Sequence, residues 1–267
     1  IIAHLAGANG WIFTKKNMSW GSRAWFLRSL FAKRIAAQND DMMATFFNHW
    51  PLKTKTFLIP RGVDTQKFQP DLAPQLRLRQ QLGISADLPL ITCVAELVPV
   101  KGHPVLLNSL VDIPRAHLLL AGRPIDEDYA VALQTQAREL EITSRVHFLG
   151  GVTDVPALLA ESDLFVLPTL RSGRMEGCPV ALLEAMACAK ACIATHIPGS
   201  RDLLIQGECG LLVPPDDPFA LSAALKMLLL DPHQRQKLGH AARQRVLANF
   251  TIEKETASHE MLYNDIL

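Results

Sequence analysis

From about residue 85 onward the chain alternates short apolar runs with segments of helical period. Leu88–Ala95, His117–Ala121, Arg145–Leu149, Asp163–Pro168, Ala191–Thr195 and Gly210–Val213 read as strands. They are apolar nearly throughout rather than every second residue, which is the pattern of a parallel sheet covered on both faces. Helical patterns lie between them near His103–Leu110, Asp126–Glu141, Asp154–Glu161, Pro179–Cys188 and Arg201–Gln206. Strict β-α alternation predicts an α/β doubly wound sheet, and such sheets bind ligands at the carboxyl ends of their strands. After Val213 the pattern turns helical over Pro218–Leu230, Pro232–Phe250 and Thr251–Leu267. Asp217-Pro218 and Asp231-Pro232 read as helix starts, with Asp at the cap and Pro at the first helical position.

The first 70 residues are different in kind. They hold all four Trp and seven of the eleven Phe. Asn17–Gln38 reads as an amphipathic basic helix, with Trp20, Trp25, Phe26 and Phe31 among Arg23, Arg28, Lys33 and Arg34. Ile12–Thr14 has strand character, and Leu58–Asp64 reads as a strand followed by a turn. Asp71–Ser85 connects this part to the sheet.

Composition adds a charge asymmetry. The net charge of +1 conceals ten Lys and Arg against three Asp and Glu in residues 1–70, and seventeen against twenty-three in the rest. A basic surface at one end suits an anionic partner, such as the inner face of a membrane. The five cysteines sit in apolar stretches with no Cys-x-x-Cys pair, so reduced, packed thiols and a cytoplasmic location are expected. No run of eighteen apolar residues offers a membrane span. The sequence has no initiator Met and no charged leader, and its first ten residues read like the middle of a helix. The chain is therefore expected to start inside a domain.

One stretch carries chemistry. A strand ending at Leu167 runs into a loop holding Gly173, Glu176 and Gly177, then into a helix opened by Pro179, with Glu184 inside it. The unsatisfied amides and positive dipole end at a helix start favour a diphosphate. Gly177 lets backbone approach closely. Glu184, five residues past Pro179, lies roughly 7–8 Å along the helix axis, about the span from a diphosphate to its ribose hydroxyls. Glu176 then faces the sugar beyond the other phosphate. Each Glu, and the pair taken alone, is most often solvated; the geometry nonetheless allows one helix end to grip three parts of a sugar nucleotide.

Glu176-GCPVALL-Glu184 followed by Ala-Met-Ala resembles the E-x7-E signature of retaining glycosyltransferase family 4, the group 1 enzymes of GT-B fold. IPRGVDTQKFQP at 59–70, AELVPVKGHPVLL at 95–107, HLLLAG, VHFLGGV and GECGLLVPPDDP match further family segments in order. The resemblance covers roughly residues 12–255 and is densest from 90 to 220. It implies a partial amino-terminal, acceptor-side domain with the interdomain turn over 1–74. It also implies a complete Rossmann-like nucleotide-sugar domain over 75–250, and a terminal helix over 251–267 returning to the first domain.

By that resemblance Lys101 neutralises the departing donor diphosphate, a role that needs neither metal nor cofactor. Glu176 bonds the donor sugar, Gly177 and the amides of Cys178 and Val180 line the phosphate or sugar, and Glu184 holds the ribose. Phe148, Leu149 and Gly150 lie where the base is held, and Arg61 and Gly62 form the interdomain turn beside the donor. The implied reaction transfers a hexose from a nucleoside-diphosphate sugar, with retention, to a glycan or lipid-linked acceptor in cell-envelope or exopolysaccharide synthesis. No nucleic acid is expected. Three departures stand out. Glu96 occupies the place of the family's diphosphate-binding Arg, and Arg61 replaces the usual Asn, read first as structural and second as a candidate to compensate. The loop is lengthened by Ser-Gly-Arg-Met before Glu176. The family's upstream glycine-rich loop and site His are absent, with Lys15-Lys16 at the latter's place. The competing reading is a truncated chain that binds nucleotide sugar and transfers nothing. A dinucleotide-dependent dehydrogenase is excluded because no G-x-G-x-x-G follows any strand.

Overall fold

The computed structural model of the chain describes residues 10–16, 18, 23–70, 77–172 and 176–266. Trp20, Gly173, the Arg23 side chain and residues 71–76 lie outside that description.

The amino-terminal part is a parallel three-stranded sheet in the order β1 (Ile12–Lys15), β2 (Arg34–Ala37), β3 (Thr56–Leu58). Helix α1 (Arg23–Phe31) joins the first two strands and α2 (Asp40–Phe46) follows the second. The helix expected over 17–38 is thus two elements. Arg34–Ala37 is the central strand, with Ile35, Ala36 and Ala37 fully buried, and pairing on both sides outweighs the helical propensity of the Ala residues. Lys33 and Arg34 accordingly leave the expected basic helix. Lys33 Nζ donates to the Ile266 carbonyl, and Arg34 pairs with Asp265.

The second sheet has six parallel strands in the order β6-β5-β4-β7-β8-β9: β4 Leu90–Val94, β5 His117–Ala121, β6 Val146–Gly150, β7 Leu164–Leu167, β8 Ala191–Thr195, β9 Leu211–Val213. Every strand was legible as an apolar run, because both faces are covered. Helix α3 (Arg77–Leu82) precedes β4 inside the stretch read as a connector. On one face of the sheet lie α4 (His103–Leu110) and α5 (Glu127–Glu139). The intervening helices are α6 (Val155–Glu161), α7 (Val180–Ala187) and α8 (Pro198–Leu204), and the chain ends with α9 (Pro218–Leu230), α10 (Pro232–Asn249) and α11 (Ile252–Asn264). One core unites β4, β5 and β7 with α4, α5 and α9; a second, on the opposite face, unites β7 and β8 with α7, α8 and α10. Asp217 and Asp231 cap α9 and α10 by accepting from the Ala220 and Gln234 amides at 2.9 Å each, with Pro218 and Pro232 following.

The order reverses between β4 and β7, so the connections leaving them diverge and open a crevice at their carboxyl ends. Two of the links between the sheets run through the interdomain turn and the last helix. The segment after β3 leads to Val63, which bridges Thr251, and α11 then runs back so that Leu262 packs on Ala36 and Ile59 of the first sheet. All five cysteines are free and buried.

Candidate functional site

The crevice is framed by the segments leaving β4 and β7. After β4 the chain makes a short 3-10 turn, Pro99–Lys101, and closes it with Gly102 at φ +69°. A Cβ on Gly102 would lie 2.0 Å from the Pro168 carbonyl oxygen, so the turn carrying Lys101 presses directly on the end of β7. Leu170 N donates back to the Val100 carbonyl at 2.8 Å. Lys101 is buried along its stem, and its Nζ lies 2.9 Å from Glu176 Oε1. Two residues separated by the whole β5–β7 region therefore meet across the switch point. The Lys101 charge also reaches inward. Burial first, and then Lys101, hold His103 down to about 4, while burial pushes the Cys93 thiol up to about 12 against the pull of Lys101.

Pro179 is the cap of α7 rather than its first residue, and no side chain caps this helix. The Leu182 and Leu183 amides donate to the Pro179 carbonyl. Those of Val180 and Ala181 find no acceptor among the described residues, so they remain available to an anion. Glu184 sits one turn further along, half-buried. Burial raises its carboxyl to about 6, with Lys67 opposing the shift. Lys67 belongs to the turn after β3, whose Asp64 Oδ1 accepts from the Gln66 and Lys67 amides.

The loop before α7 is held by the other sheet. Gly177 N donates to the Lys16 carbonyl at 3.1 Å, and Asn39 Nδ2 donates to the Gly177 carbonyl at 2.6 Å. A Cβ at Gly177 would lie 2.0 Å from Met42 Cε, so the close approach this glycine permits is that of α2. Arg201 on α8 pairs with Asp41 on α2 beside it. Asn39, Asp41 and Arg201 have no role in the sequence reading, and Lys16 figures there only as standing in the place of a family His. The one available signal was Asn39-Asp40-Asp41, a cap with an acidic first turn, whose cap oxygen accepts from Met42 N.

Arg61 and Gly62 lie against the same loop from a third side. Arg61 Nη1 pairs with Glu255 at 2.9 Å, and Gly62 N donates to the other Glu255 oxygen at 2.7 Å. The Cys178 thiol, pushed up to about 12 by burial, has the Arg61 backbone as a hydrogen-bond neighbour. Phe148 packs on the main core, and Leu149 lines a cavity of about 380 Å3 between α3 and α6. A separate cavity of about 200 Å3 opens at the ends of β4, β5 and β6 beside Ala95, Glu96, Gly122, Gly151, Val152 and Val155, just beyond Phe148 and Leu149 in sequence.

A family model for glycosyl transferases group 1 matches residues 74–245. The GDP-mannose-dependent alpha-(1-6)-phosphatidylinositol monomannoside mannosyltransferase of Mycolicibacterium smegmatis is 32% identical over 202 residues, which are 72% of this chain and 52% of that protein. The lipopolysaccharide core biosynthesis mannosyltransferase LpcC of Rhizobium leguminosarum bv. viciae is 29% identical over 79% of this chain and 60% of its own length. Among solved structures, Anabaena Alr3699/HepE in complex with UDP and glucose superposes with a TM-score of 0.88. That match covers 98% of this chain and 73% of HepE at 22% identity, which is a likeness of fold. The chain spans about half the length of the first curated relatives it matches. Among the described residues no helix is long and apolar enough to cross a membrane.

Proposed function

Because the chain belongs to the group 1 glycosyltransferases, we propose that it binds a nucleoside-diphosphate hexose in this crevice and transfers the hexose, with retention, to a glycan or lipid-linked acceptor of the cell envelope. The observation that carries the reading is Lys101 Nζ at 2.9 Å from Glu176, beside the uncapped opening of α7. The diphosphate takes the Val180 and Ala181 amides and draws Lys101 from Glu176. Glu176, thus released, accepts from a hydroxyl of the donor sugar. The ribose lies along α7 toward Glu184, and the base enters the 200 Å3 cavity.

In the transfer itself the anomeric carbon–oxygen bond to the diphosphate breaks and the acceptor oxygen bonds that carbon from the same face. The acceptor's proton passes to the departing phosphate oxygen. Lys101 and the helix opening neutralise the charge that develops there, so the step as proposed asks for no metal. The mannosyltransferase relatives support a hexose donor and an envelope acceptor. A membrane beside that acceptor is supported by α1, which exposes Phe26, Leu27 and Phe31 near Arg28. Anionic vesicles should retain the chain, and Phe31→Ser with Arg28→Ala should release it; equal retention ends that part of the proposal.

The test of the site is a thermal-shift series with nucleoside diphosphates. The unmodified chain should be stabilised by mass action. Lys101→Met, which keeps the buried stem and removes the charge, should keep its ligand-free melting point, since Glu176 is about half exposed and loses little with its partner, yet lose the response. An unchanged response sinks the assignment of Lys101. Turnover of a donor sugar by this chain alone separates the transferase from a binding fragment that transfers nothing.

A further inference from the structure

At the 200 Å3 cavity proposed for the base, a carboxylate lines the wall and a guanidinium lies against one of the lining glycines. Glu96, on its wall, follows β4, and its carboxylate has no hydrogen-bond or ion-pair partner among the described residues. Arg123 follows β5, and its side chain lies across Gly151, where an added Cβ would come within 2.8 Å of Nε. Its guanidinium has no partner among the described residues either. The two strand extensions run side by side, with Leu97 N donating to the Arg123 carbonyl at 2.9 Å and Leu97 bridging Pro124. The paired backbone thereby carries an acceptor-only group and a donor-only group to the same end of the sheet.

We infer that Glu96 and Arg123 make this cavity selective for guanine. The inference rests on the donor reading above. A carboxylate accepts and cannot donate; a guanidinium donates and cannot accept. Guanine offers two adjacent donors, N1–H and the N2 amino group, and two adjacent acceptors, O6 and N7, so it answers both groups at once. Uracil flanks its single N–H with carbonyl oxygens, which a carboxylate repels. Adenine places an amino group beside N7, which opposes the guanidinium, and offers no N1–H. A carboxylate facing the base, not the diphosphate, does not oppose donor binding.

The experiment titrates the full chain with GDP, IDP, UDP and ADP by thermal shift at neutral pH. GDP should bind on the order of tenfold or more tighter than UDP and ADP. IDP, which lacks only the 2-amino group, should fall between. Glu96→Gln should bring GDP and UDP to within about threefold of each other, because the amide can donate to a uracil carbonyl. Arg123→Ala should weaken GDP more than UDP. Both side chains are exposed, so neither variant should alter the ligand-free melting point. UDP or ADP binding as well as GDP, or a ratio that Glu96→Gln leaves unchanged, overturns the guanine assignment while the donor site stands. A chain that answers no nucleoside diphosphate overturns both.

Discussion

Glu184 shows how one residue is set against the stability of its own helix. Its carboxyl is raised to about 6 by burial, against an ordinary 4.5. The folded chain therefore binds more protons than the unfolded chain between those values, and stability falls as pH rises through that window. At pH 7.5 the ionised group costs on the order of 1–2 kcal/mol. Glu184→Gln should raise the ligand-free melting point at pH 7.5, and the gain should vanish below about pH 4.5. Ionised, the carboxylate accepts from both ribose hydroxyls with charge assistance, whereas protonation turns one oxygen into a donor, so nucleotide affinity in the unmodified chain should fall as pH drops below about 6. In Glu184→Gln it should be weaker and flat with pH. Melting curves with and without GDP or UDP across pH 5–8 read both effects; a pH-independent affinity in the unmodified chain removes Glu184 from the ribose.

Among the elements, the strands of the larger sheet were legible because they are buried on both faces and their apolar runs need no context. β2 was not. Its Arg-Ile-Ala-Ala sequence has no strand period, and only its place between β1 and β3 makes it one. The site divides the same way. The opening of α7 and its two carboxylates could be read from local spacing, and Lys101 from a motif. The clamp on Gly177 could not, since Asn39 is 138 positions away and Asp41 lies 160 positions from Arg201. The turn holding Lys101 yields a paired prediction. Gly102 and Gly83 share a positive φ, but a Cβ at Gly102 meets the Pro168 carbonyl at 2.0 Å and one at Gly83 meets nothing within 4 Å. Gly83→Ala should cost only the backbone strain, about 1 kcal/mol. Gly102→Ala should cost roughly 2–4 kcal/mol and displace Lys101, so the nucleotide response should fall with it. Equal losses of melting point in the two variants would show that the contact with β7 does not position the turn.

At the scale of the molecule, three carboxylates gather where the two sheets meet. Asp40 and Asp41 come from α2 and Asp202 from α8, and Arg201 pairs with Asp41 while lying 3.7 Å from Asp202. Burial first, then Asp41, raises the Asp202 carboxyl to about 6. Removing the cation leaves Asp41 and Asp202 half-buried and facing each other. At pH 8 Asp202 is charged beside Asp41 with no cation between them, so Arg201→Ala should lose on the order of 2 kcal/mol there. Below pH 6 Asp202 takes up a proton, the repulsion falls, and the loss at pH 5.5 should be smaller. Arg201→Lys should recover part of the pH 8 loss, because it restores the charge without the planar fork. The joint also holds the Gly177 loop through Asn39, so loosening it should weaken nucleotide binding at pH 8 more than at pH 5.5, relative to the unmodified chain at each pH. Small-angle scattering at the two pH values should show the larger radius of gyration for Arg201→Ala at pH 8. A variant equally destabilised and equally expanded at both would mean that packing of Met42 on Gly177, rather than this charge cluster, holds the sheets together.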